Sequence, residues 1–204
     1  MSKSTLEMAR DLVAKLEAEE KEKKVKLGDL KPGDTFMIGE HEFIVLEQDI
    51  FCLVPTTHVV SKNFMLENVM FDSDTRNYAD SNLKVIIEKE ILPIIEEGVG
   101  SENILKSVYD LCSVCGDDEF EMFASKVRPM TFDEVRKYHE FIPNANLDDW
   151  WWTCTPWGSD KNGNARTIAA VSPSGGIFGN DCGGDCGVRP FCILKSDIFV
   201  SKGE

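Results

Sequence analysis

The chain is poor in the residues that build most active sites. Among 204 residues only His41, His58 and His139 are histidines, widely separated and without the helical spacing of a metal pair. No Gly-Xaa-Ser-Xaa-Gly elbow, phosphate loop or dinucleotide fingerprint occurs. With so little of a catalytic set present, a non-catalytic protein without cofactor or metal is expected. No apolar run approaches the roughly 18 residues of a membrane span, which argues against a membrane partner. No basic stripe exists, and the net charge of -14 argues against nucleic acid. The opening "MSKSTLEMARDL" lacks the apolar stretch and cleavage site of a signal peptide, so synthesis in a cytoplasm is expected. There is no internal repeat.

What is present is ordinary globular material, 42% hydrophobic and 28% charged. It suffices for one domain of about 150 to 170 residues plus an appendage. The seven cysteines are expected as free thiols packed like small hydrophobes. "CSVC" and "CGGDC" hold thiols suited to zinc, but their spacers differ and the pairs lie far apart, so no zinc site is expected.

Residues 4–24 read as a helix capped by Ser4 or Thr5, with Leu6, Ala9, Val13 and Leu16 in a narrow stripe. A stripe of that length needs a partner. Residues 1–26 are therefore assigned to an N-terminal helix or stalk, for homo-oligomerisation as a short coiled coil or for attachment to another protein. Residues 27–204 form the globular domain. It opens with the turn "KPGD", whose Pro and Gly hold the second and third positions. "TFMIGEHEFIVLEQDIFCLVPTT" follows as a three-stranded antiparallel meander, split near Gly39-Glu40 and Gln48-Asp49.

Two main helices are expected. One is capped at Asp80 or Ser81, buries Leu83, Ile86, Ile87 and Ile91, is interrupted at Pro93 and stops at Gly98. The other begins with a capping box between Thr131 and Glu134. "TIAAVSPSGGIFG" reads as strand, turn and strand, and "GVRPFCILKSDIFVS" supplies the last strands. The fold class is thus α+β, antiparallel sheets with helices set apart.

All four tryptophans lie between Trp150 and Trp157. In a strand Trp150 and Trp152 share one face and Trp151 takes the other, so a sheet covered on both sides buries the run. Trp150, Trp151 and Trp152 are read as scaffold, with Trp157 the exception. The same block holds Gly187, expected in a backbone conformation barred to other residues. Arg189 offers five donors for loop carbonyls or a carboxylate, and Pro190 limits ladder pairing.

"GDTFMIGEHEFIVLE", "NYADSNL", "WWWTCTP", "VSPSGGI" and "GVRPFCIL" occur in that order. Together they resemble a family of uncharacterised bacterial and phage domains with a Trp-Trp-x-Arg-Ser/Thr-Pro block and a closing Gly-Val-Arg-Pro. The likeness spans roughly residues 27–200, and Cys154 stands where the block usually has Arg. More distantly, that family resembles the C-type-lectin-like fold of formylglycine-generating enzymes and phage variable proteins. The resemblance implies a C-type-lectin-like domain in a phage or prophage setting, such as a virion surface. Formylglycine-type oxidation would need paired cysteines, for which only Cys182 and Cys186 are candidates.

Loops on a rigid scaffold are where binding resides. "TPWGSDKNGNAR" and "GNDCGGDCG" are such loops. They nominate Trp157, Asp160, Asn162, Asn164, Arg166, Asn180, Asp181 and Asp185 as one ligand-binding surface; the alternative is plain solvated turns. "DKNGN" does not complete an EF-hand, whereas calcium on converging carboxylates stays open. The expected function is a recognition module for a protein or glycan ligand. Its alternatives are an acidic intracellular inhibitor of a host factor and a structural virion decoration protein.

Overall fold

The computed structural model describes Leu6, Arg10, Val13 and residues 24–51, 53–143 and 147–203. The N-terminal helix and its stripe fall mostly outside these residues; Leu6 and Val13 are described, and both are exposed. The domain starts at strand β1 (Lys24–Lys26), earlier than the boundary at residue 27, because these residues pair with the last strand.

The "KPGD" turn forms as expected, with Asp34 N–H donating to Lys31 O at 2.9 Å and Gly33 at φ 92°. It leads into β2 (Thr35–Ile38), β3 (His41–Asp49) and β4 (Thr56–Ser61), an antiparallel meander. The third strand begins late. Ile50, Phe51, Leu53 and Val54 read as strand but lie in the connection to β4, exposed. Next come β5 (Leu66–Met70), β6 (Ile104–Leu105), β7 (Ser107–Tyr109), β8 (Phe123–Ser125) and β9 (Val127–Pro129), with β7 pairing β8. The C-terminal half adds β10 (Trp151–Pro156), β11 (Thr167–Val171), β12 (Ile177–Asp181), β13 (Asp185–Val188), β14 (Pro190–Lys195) and β15 (Phe199–Lys202).

The main sheet runs β1-β15-β2-β3-β4-β14, with β6 and β9 sharing the far edge of β14; it curls into an antiparallel half-barrel. The second sheet runs β12-β11-β10-β13-β5, and its β10–β13 pair is parallel. The architecture is mixed α+β and sheet-rich, with one main helix rather than two.

That helix comprises Asn82–Ile86, a π-helical stretch Ile87–Ile91 and Leu92–Val99. Ser81 caps it by accepting from Lys84 N–H at 3.2 Å. Its fully buried residues are Leu83, Ile87, Ile91 and Ile95, at four-residue steps, with Ile86 only half-buried. Such steps overshoot a 3.6-residue turn, and the wider π stretch absorbs the drift. Pro93 sits at the start of the last segment, where its missing N–H costs least. The helix continues through Gly98, which abuts Ile38, and ends at Gly100 with φ 85°. The second helix is short, Phe132–Lys137, and its capping box forms in both directions.

Strand alternation sorts the core by parity. Phe43, Val45, Val59, Trp152, Cys154 and Leu194 join the larger cluster beneath the main helix. Ile44, Leu46, Val60, Trp151 and Phe191 join a smaller one with Tyr138 and Val135 of the short-helix region. Trp150 packs on the Trp152 side, edge-on to Phe178 at 5.6 Å. Trp151 and Trp152 are fully buried, and Trp152 Nε1 donates to Val69 O at 2.7 Å, tying β10 to β5.

Two of the chain's crossings between the main sheets are short, from β4 to β5 and from β13 to β14. Arg189 sits at the second crossing and donates Nε to Ser61 O at the first, at 3.0 Å, with its guanidinium 5.1 Å from the Trp151 ring centre. Gly187 is not at a positive φ, contrary to expectation; it is needed because a Cβ there would lie 2.6 Å from the Phe64 ring. Pro190 opens β14 opposite Pro129, a pairing in which neither residue offers an N–H.

Two stability outcomes are expected. Trp151→Ala or Trp152→Ala should each cost about 3–5 kcal/mol in denaturant unfolding, as large buried aromatics do. Removing residues 1–23 should leave the melting temperature unchanged, whereas removing 1–26 strips β1 from β15 and should lower it.

Candidate functional site

The nominated loops do converge, and two arginines hold them. Arg76, in the loop after β5, is buried and reaches three segments at once. Its Nε donates to Gly158 O at 2.9 Å and its Nη1 to Ala165 O at 2.8 Å, and it pairs with Asp160 and Glu119. Phe120 flanks the guanidinium, 5.2 Å from its ring centre. Arg166 grips both oxygens of Asp181, at 3.1 and 2.8 Å, and also donates to Ser73 O. The Arg166 guanidinium holds the Asp181 carboxyl below its ordinary value, with the Gly183 N–H adding to the effect.

Local hydrogen bonds shape the tips. The turn Asp160–Asn162 ends on Gly163 at φ 80°, and Asn164 N–H returns to Ser159 O at 3.0 Å. Asn164 Nδ2 donates to Asn162 Oδ1 at 2.8 Å, and Asn162 Nδ2 to Asp117 Oδ2 at 3.3 Å. Asn180 Nδ2 donates to Cys186 Sγ at 3.3 Å. Half-buried Trp157 lies close over Gly179, where a Cβ would stand 3.2 Å from the indole. Below the surface Asp72 is a brace. Burial would raise its carboxyl, but the N–H groups of Asp74, Thr75 and Asn82 hold it below its usual value.

Seven of the eight nominated residues therefore belong to one connected polar surface. Asp185 stands apart from its ion pairs, exposed at the head of β13 opposite Met70. Asp160 and Asp181 already face arginines, and no group of three or more His, Cys, Asp or Glu among the described residues could hold a metal. The carboxylate cluster that calcium would need is thus not found among the described residues. Cys154, Cys182, Cys186 and Cys192 are buried, while Cys112 and Cys115 lie on a turn whose Val114 and Cys115 N–H groups meet Pro156 O and Trp157 O.

The sequence reading missed Arg76, Glu119 and Asp74. Their partners lie from 43 to more than 80 residues away, so no local spacing could announce them. It also missed a second polar cluster on the main sheet. There Glu47 accepts from Tyr138 and from Lys137 at 2.7 Å, and His58 Nδ1 lies 3.1 Å from Tyr138 Oη. His58 packs edge-on against Tyr138 and Phe191.

No family model, curated protein or solved structure matches the chain.

Burial holds the His58 imidazole below its ordinary 6.5, against the opposing pull of Glu47. The unfolded chain therefore binds a proton that the folded one resists. The stability this gives is present above pH 6.5 and is lost as the pH falls through the lowered folded value. Thermal midpoints should drop from pH 7.5 towards 5.5, and His58→Gln should flatten that slope.

Proposed function

We propose that the domain is a non-catalytic recognition module that presents the polar loops around Trp157–Arg166 and Asn180–Gly184 to a protein or glycan ligand. One observation carries this reading: Arg76 and Arg166 fasten separate loops into a single fixed surface. Preorganised loops spend less of their binding free energy on ordering, which suits recognition. Half-buried Trp157 adds an aromatic face of the kind on which sugar rings stack. A C-type-lectin-like fold and a phage or virion setting are part of the same proposal, supported by the order of the tryptophan, Ser-Pro-Ser-Gly-Gly and Gly-Val-Arg-Pro blocks.

The test separates binding from stability. Asn162→Ala and Asn164→Ala should shift folding by under ~0.5 kcal/mol, as exposed polar sites do. On a glycan array, or against partners recovered from a host lysate, both should weaken binding relative to the parent protein. Binding lost instead in Trp151→Ala, at unchanged melting temperature, would move the ligand to the tryptophan run.

A further inference from the structure

The tip of the loop between β10 and β11 carries the step Asn162–Gly163, and no other asparagine in the chain is followed by glycine. That pairing has its own chemistry. A carboxamide carbon and the next backbone nitrogen can close a five-membered ring, and the approach is easiest where the next residue has no side chain. Both residues are exposed, and a Cβ placed on Gly163 would meet nothing within 4 Å. The path of the attacking nitrogen is open.

The carboxamide itself is held. Asn164 Nδ2 donates to Asn162 Oδ1 at 2.8 Å, and Asn162 Nδ2 donates to Asp117 Oδ2 at 3.3 Å. A Cβ at Gly158 would stand 3.0 Å from Asn162 Oδ1, so this glycine leaves the group its place, and Arg76 fixes the Gly158 carbonyl. The donor on Oδ1 lies where negative charge develops when a nucleophile adds to the carbonyl, and it stabilises that charge. One bond restrains the attack: Gly163 N–H donates to Asp160 O at 3.1 Å. It closes a single turn at an exposed tip, and such turns open at little cost.

We propose that Asn162 is a site of spontaneous deamidation, and that loss of its amide uncouples the tip from the Ser113–Asp117 turn. Gly163 N attacks Asn162 Cγ, the Cγ–Nδ2 bond breaks, and ammonia leaves with the proton that Gly163 N gives up. Water then opens the succinimide at one of its two carbonyls, leaving an aspartate or an isoaspartate. Either product sets a carboxylate where Asn162 Nδ2 had donated to Asp117, and the two like charges repel. An isoaspartate also lengthens the backbone by one carbon, which breaks the turn bond to Asp160 O. The change is one-way, and it needs no ligand on the surface.

The test incubates the folded full-length chain in mildly alkaline buffer at 37 °C and follows intact mass and peptide maps. The parent should gain a single mass unit, located in the peptide that holds Asn162–Gly163, as a mixture of aspartate and isoaspartate. Asn162→Gln should not gain it over the same period, because its ring would have six members. Asn162→Asp, which introduces one product directly, should speed hydrogen exchange at the Gly116 and Asp117 amides several-fold over the parent. A gain that maps to another asparagine would overturn the site, as would a folded parent that stays unchanged while the urea-unfolded chain gains the mass. Unaltered exchange in Asn162→Asp would overturn the uncoupling.

Discussion

Burial on both faces of the central strands is the constraint on which the rest of the structure depends. Every residue of β10 from Trp151 to Pro156 is buried, and β3, β4 and β14 likewise send successive side chains into different cores. A strand denied water on both sides requires cover on both. The main helix closes one core, and the short helix with Tyr138 and Leu147 closes the other. Two indoles facing opposite ways in adjacent positions couple these cores rigidly, because neither can shift without disturbing the other.

Among the described residues, buried arginines enter this interior with hydrogen-bond partners on other segments of the fold. Arg128 is almost wholly buried, yet it holds both oxygens of Glu134 at 2.7 and 2.6 Å, with the Tyr109 ring centre 3.3 Å away. Glu134 is also the closing residue of the capping box, so one carboxylate orients the short helix and anchors β9. Arg189 and Arg76 repeat the pattern at the sheet crossing and at the loop surface, each donating to carbonyls from distant segments. Arginine suits all three places because its planar fork distributes one charge over several fixed donors. The loop surface thus inherits its rigidity from the same device that stabilises the core.

Features set by neighbouring residues were legible in the sequence. The "KPGD" turn, the Ser172–Gly176 turn, the Thr131–Glu134 box and the alternation of the tryptophans all depend on spacings of a few positions. What failed depended on distance. Ile50, Phe51, Leu53 and Val54 have the composition of a strand, but among the described residues none of them joins a ladder, and they lie in the connection between β3 and β4. Gly187 answers to Phe64, more than a hundred positions away, and not to its own torsion angles. Arg76 could not be separated from any other surface arginine until Gly158, Ala165 and Glu119 were brought around it. The π stretch of the main helix lay between these cases: its four-residue apolar period was visible, but reads equally well as an ordinary helix face.

The β1–β15 ladder, where Lys24 faces Ser201 and Lys26 faces Phe199, joins the first strand of the domain to its last. Both ends of the domain therefore leave from one corner, a single strand spacing of about 4.8 Å apart. A domain with that outline can be seated within a loop of another polypeptide without prising the host apart. Tension applied through its two ends would act across the ladder and open it one hydrogen bond at a time, peeling β1 away while both cores stayed shut. The outermost strand, β1, is therefore the first element such tension would detach.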